Sequence, residues 1–200
     1  MTQNRYLAAI AAFDKANSED PNKEVAEGKE YPKELLYAQR MTEMQERYAP
    51  EASEAVKLAV RAQHIQRWTV PRSNYTMDKP GYMLWRTGLY KFHAETAGRL
   101  MKEVGYDDEM IDRVKTIVSK KGLKTNPETQ MMEDVVDLVF IEHYMLAMAS
   151  AHPDYSEEKW LLIIRKTWNK MSENAHAYAL AGKIALPEAL VPLILKAVKG

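Results

Sequence analysis

Apolar residues recur at three- and four-residue spacings from one end of this chain to the other, and no run alternates as a strand would. That periodicity confines the fold to packed helices. It predicts helices near 3–17, 33–48, 51–67, 81–104, 108–120, 127–151, 156–171, 173–182 and 187–198. The punctuation between them agrees. Pro50 separates the second helix from the third, and Asp107 stands as an N-cap after the break at Gly105. Gly122, just past Lys120 and Lys121, reads as a C-terminal stop. Asn126-Pro127-Glu128 combines an N-cap, a proline at the first helical position and an acidic first turn. Pro153 follows the long helix and Pro187 opens the last one. Two segments resist a helical reading. Residues 18–32 are polar and contain Pro21, Gly28 and Pro32. Residues 68–80 form a long loop, a kind of segment that often carries function in a compact domain.

The expected architecture is therefore all-α, a single multi-helix domain over residues 1–200. A 46% hydrophobic content supplies a sizeable core for one such domain. Lys+Arg and Asp+Glu balance at 28 each, so charge draws the chain to neither nucleic acid nor a membrane surface. With no cysteine, disulfides, thiolate catalysis and Cys-ligated metals are excluded. That usage fits a reducing compartment. The first apolar run is broken by Asp14 and reads as an amphipathic helix rather than a signal peptide, and no window approaches a membrane span. A cytoplasmic protein is expected.

The third helix points polar groups inward. At about 100° per residue, Val56, Ala59 and Val60 share one face, and Gln63, His64 and Arg67 continue it. Burying an amide, an imidazole or a guanidinium demands partners, which marks either a satisfied structural cluster or a functional pocket. The 127–151 helix is apolar on most sides but carries Glu133, Asp134, Asp137, Glu142 and His143. The first three share a flank and are candidates for a metal or a general base, or for pairing with a neighbouring Arg or Lys. Glu142 and His143 lie roughly 12–15 Å further along the axis, outside that site. His93 sits at the margin of an apolar face formed by Trp85, Leu89, Phe92 and Thr96, and Gly98 in the same helix implies close helix packing. Arg40, Arg72 and Arg86, with Arg67, are candidate anion-binding residues, because guanidinium forks match phosphate and carboxylate. There is no G-x-G-x-x-G, phosphate-binding P-loop, H-E-x-x-H or G-x-S-x-G.

Several strings carry a resemblance across nearly the whole chain. They include Pro32-Lys-Glu-Leu-Leu-Tyr-Ala-Gln-Arg40, Ala62-Gln-His-Ile-Gln-Arg-Trp68, Phe92-His-Ala94, Glu133-Asp-Val135, Glu142-His-Tyr144 and Lys170-Met-Ser172. The chain resembles the uncharacterised family catalogued as domain of unknown function 4202. Asp137 departs from that family's pattern, which has a small residue there. The order of elements also resembles the HD-domain metal-dependent phosphohydrolases. On that resemblance the first ligand His falls at Gln39, the His-Asp doublet at Gln63-His64, the later His at His93 and the final Asp near Asp134. The standard ligand set is thus incomplete. What the resemblance implies is a divalent metal held by His64, His93 and Asp134, with Glu133 and Asp134 as catalytic carboxylates. A small phosphorylated or nucleotide-like substrate would be bound by Arg40, Gln63, Arg67, Arg72 and Arg86. The other expectation is a non-catalytic helical protein that keeps the pocket for ligand binding or subunit contact.

Overall fold

The computed structural model describes residues 2–199. Among these the chain forms ten α-helices and one short hairpin, packed as two compact units that divide between Met132 and Glu133. In the first unit lie α1 (Thr2–Ser18), β1 (Lys23–Ala26), β2 (Lys29–Pro32), α2 (Lys33–Tyr48), α3 (Glu54–Ala62), α4 (Lys79–Glu103) and α5 (Asp108–Val118). The unit boundary falls inside α6 (Pro127–Val139). The second unit continues with α7 (Met145–Ala151), α8 (Glu157–Lys170), α9 (Glu173–Leu180) and α10 (Val191–Lys199).

The helical fold class follows the periodicity, and so do the caps. Asp107 accepts the Met110 N–H at 2.9 Å, and Asn126 accepts from Glu128 at 2.9 Å and Thr129 at 3.2 Å. Gly98 is packed as its position implied. A Cβ there would stand 3.1 Å from Ile111 Cγ2 and from Lys115 Cδ, so α4 and α5 approach closely along it.

Four expectations need correction. Residues 23–32, read as non-strand, form an antiparallel hairpin with Lys23 opposite Pro32 and Ala26 opposite Lys29. Its two-residue turn places Glu27 at φ +50° and Gly28 at φ +74°, both in the left-handed region that tight hairpin turns use. The third helix stops at Ala62 rather than 67, and the chain turns through Gln63–Gln66. The 127–151 helix is interrupted by a wider π turn over Phe140–Tyr144, where the Met145 N–H bonds the Phe140 carbonyl. Finally, α5 ends at Val118, and Lys120 rather than Gly122 takes the first left-handed position after it.

The core of the first unit is built around α3. Ala55, Val56, Leu58, Ala59, Val60, Arg61 and Ala62 are all buried, because α3 packs against α1, α2, α4 and α5. The one charge among them is satisfied. Arg61 sends two guanidinium N–H groups to Asp14 at 2.7 Å each and a third to Thr42 Oγ1 at 3.1 Å. A helix enclosed this way delivers whatever follows its C-terminus into the interior. In the second unit α8 and α10 pack together, and Leu138, Met145, Trp160, Ile164, Ala175 and Ile194 are buried.

Candidate functional site

The residues after α3 meet the N-terminus of α2. Glu34, Ala38, Met41 and Gln45 form one buried stripe of α2 at helical spacing, so a carboxyl leads an otherwise apolar face. Pro32 offers α2 no side-chain cap. Asp20 supplies one from a distance. Its Oδ2 accepts the Glu34 N–H at 3.0 Å, and its Oδ1 accepts from the Asn22 backbone and side chain at 2.9 and 2.8 Å. Buried Asn17 then links two segments. Its amide donates to the Glu34 carbonyl at 3.5 Å, and its Oδ1 accepts the Gln66 N–H at 2.9 Å. Gln66 sits at φ +52°, a conformation that costs a non-glycine residue energy.

This scaffold sets Glu34 beside His64. Glu34 Oε2 lies 3.4 Å from His64 Nδ1, and Glu34 Oε1 lies 3.8 Å from Arg67 Nη1. Tyr37, one turn after Glu34, stacks on the His64 ring at 4.2 Å and 18°. The His93 ring centre is 5.8 Å from that of His64. His93 is 2% exposed, and its Nδ1 faces the Ile65 carbonyl at 2.9 Å. Arg67 lies over Trp85 at 5.1 Å, and the Trp85 indole N–H donates to the Val70 carbonyl at 2.8 Å.

The electrostatics are unusual. Burial pushes the Glu34 carboxyl up to about 7, against the opposing pull of Arg67. Burial also holds the His64 imidazole well below its ordinary range, with Arg67, Lys120 and Lys33 adding to the effect. His93 is driven down to about 3, by burial first and then by His64. Both imidazoles are therefore neutral at physiological pH, while Glu34 titrates there. With the His93 proton on Nδ1, toward Ile65, its Nε2 is a buried acceptor without a hydrogen-bond partner. Gln63 Oε1 and Arg67 Nε are likewise buried without one. Native interiors satisfy nearly all such atoms, so these three are exceptional within the interior.

The structure thus brings together His64, Arg67 and His93, adjoined by Gln63. It adds Glu34, which the sequence reading overlooked. An acidic residue in a first helical turn reads as a surface complement to the helix dipole. The overlooked signal was its place on the Ala38–Met41–Gln45 stripe. The other arginines have partners of their own. Arg40 pairs with Glu24 of the hairpin. Arg72 donates to the carbonyls of Tyr75 and Asp78 within its own loop, at 3.1 and 3.2 Å. Arg86 Nε donates to the Tyr90 hydroxyl at 2.6 Å.

In the second unit, Lys170 Nζ bonds Glu133 at 2.8 Å and Asp137 at 2.5 Å. Burial works against the Lys170 charge, but the two carboxylates outweigh it and hold its pKa above the usual value. Asp134 accepts the Ser172 backbone N–H at 2.7 Å and its hydroxyl at 2.6 Å, at the start of α9. Glu142 accepts the Ala185 N–H at 2.8 Å and lies 3.6 Å from His143. Each Asp134 oxygen thus accepts from Ser172. Among the described residues no group of three or more His, Asp or Glu side chains is disposed to hold a metal ion.

A family model described as domain of unknown function (DUF4202) matches residues 7–194. The chain belongs to that family. No curated protein and no solved structure matches it. Among the described residues of this DUF4202 protein, no helix is long and apolar enough to cross a membrane.

Proposed function

We propose that the first unit carries an acid–base site that hydrolyses a small phosphorylated or nucleotide-like molecule, a metal-free descendant of an HD-type phosphohydrolase site. The observation that carries this reading is the contact of a neutral-held imidazole with a carboxyl raised to about 7. A group that titrates near the operating pH is the most effective proton carrier. His64 cannot readily hold a positive charge, so it works as a tautomeric relay. Its Nε2 takes a proton from water while its Nδ1–H passes to Glu34, once the 3.4 Å gap closes to hydrogen-bond length. The water oxygen bonds to phosphorus, the P–O bond to the leaving alcohol breaks, and the proton returns to that oxygen along the same path. Arg67 binds the phosphoryl oxygens, and the buried acceptors of His93 and Gln63 receive donors of the substrate. A cytoplasmic setting, with neither nucleic acid nor membrane as partner, completes the proposal.

A panel of phosphate monoesters and nucleotides, assayed with and without chelator, tests it. Chelator-insensitive turnover is expected, and Glu34→Gln should lower it by about 10²–10⁴-fold with binding retained. The 3.8 Å Arg67–Glu34 pair favours a second reading, a non-catalytic pocket for a small anion. Binding without turnover across the panel would select it.

A further inference from the structure

The guanidinium of Arg67 is placed by a ring rather than by hydrogen bonds. Its Nε is buried without a hydrogen-bond partner, and the Glu34 oxygen that Nη1 faces stands at 3.8 Å, beyond hydrogen-bond length. The side chain is one-third exposed, so a ligand can reach it. Arginine is long and flexible, and one left loose loses that freedom when it binds an anion. Trp85 supplies the restraint. The guanidinium carbon lies 5.1 Å from the centre of its ring, within cation–π range. Such a contact engages the charge and leaves the N–H donors to other partners. The same side chain also fixes the backbone of Arg67. Residues Arg67–Thr69 form a single tight helical turn, closed by the Val70 N–H on the Arg67 carbonyl at 3.2 Å. The Trp85 indole N–H holds the Val70 carbonyl at 2.8 Å. Trp85 itself stands on α4, about two turns past the Asp78 cap, whose carboxylate accepts the Gly81 N–H at 2.7 Å. Arg67 is therefore anchored on a long capped helix as well as on its own loop.

We propose that Trp85 is the positioning residue of Arg67, setting the guanidinium in advance so that its N–H fork receives the phosphate group of the ligand. The inference rests on reading the Glu34–His64 site as one for a phosphorylated molecule. Calorimetric titration of the full chain with inorganic phosphate tests it. Trp85→Leu and Trp85→Phe both remove the indole N–H and its bond to Val70, but only Trp85→Phe keeps an aromatic face. Both should therefore melt lower. Trp85→Leu should weaken phosphate binding by about tenfold, and Trp85→Phe by no more than about threefold. Phosphate should also shift the tryptophan emission of the wild-type chain, and Trp85→Phe should remove most of that shift. Three results would overturn the role of Trp85 and leave the site reading standing. One is equal weakening in the two variants, which would mean the residue only supports its loop. Another is unchanged affinity in Trp85→Leu beside weakened binding in Arg67→Gln. The third is an emission shift undiminished in Trp85→Phe, a readout that stands even if Trp85→Leu does not fold. Failure of the wild-type chain to bind phosphate, or binding that survives Arg67→Gln undiminished, overturns both readings.

Discussion

His64 Nδ1 and Glu34 Oε2 stand 3.4 Å apart, one from the turn that follows α3 and the other from the first turn of α2. The carboxyl is buried and the imidazole is held neutral, so their protonation is set by the fold and can be read out through it.

Glu34 should make stability fall as pH rises. Its folded pKa of about 7 exceeds the ordinary 4.5 of an unperturbed Glu. Between these values the native state keeps a proton that the unfolded chain has released. Its contribution is complete below 4.5 and lost as pH passes about 7, a change of about 3 kcal/mol. Glu34→Gln should flatten that limb in denaturant titrations across the window and leave the variant more stable at its alkaline end. An unchanged slope would contradict the shift.

His93 works in the opposite sense. Its folded pKa of about 3 lies below the ordinary 6.5, so the unfolded chain takes up a proton first as pH falls. Its stabilising contribution is complete above 6.5 and is lost on the way down to about 3. Long-range ¹H–¹⁵N spectra should show His93 as the Nδ1–H tautomer, unchanged through mildly acidic pH. A resonance titrating near 6.5 would refute this.

Asp134→Asn tests the carboxylate flank. Asp134 receives two hydrogen bonds from Ser172, so losing its charge should cost about 1–3 kcal/mol, with or without chelator. Lys170→Met removes the cation shared by Glu133 and Asp137 and should cost about 3 kcal/mol. Thermal melts measure both. A melt for Asp134→Asn that shifts with chelator would restore a metal role to this flank.

Gly81→Ala should be disproportionately harmful for so small a change. A Cβ there would fall 2.1 Å from the Thr76 carbonyl oxygen, a backbone atom that cannot swing aside. The loop entering α4 must shift, at a cost of about 1–3 kcal/mol, and α4 carries the Trp85 that faces Arg67. The expected result is a lower melting temperature together with weaker phosphate binding.

The bounds of α2 and the caps at Asp107 and Asn126 were legible because proline and Asx residues act locally. The hairpin was not, since Lys23-Glu-Val-Ala and Lys29-Glu-Tyr-Pro face largely outward and lack an apolar alternation. The π turn at Phe140–Tyr144 has no glycine or proline to announce it. At the site, the inward reading of Gln63, His64 and Arg67 placed them on a helix that in fact ends at Ala62. Burial of α3 on nearly every side, rather than a continuing face, is what brings them inside. Glu34 stayed hidden because an acid in the first turn of a helix ordinarily complements the helix dipole.

Asn17 touches neither the Glu34 carboxyl nor the His64 ring, yet it is the spacer that fixes their separation, holding the Glu34 backbone with one end of its amide and the Gln66 backbone with the other. The N-terminal helix is therefore a calibrating part of the proposed site. A chain clipped after that helix would retain the carboxyl and the imidazole and lose the ruler between them.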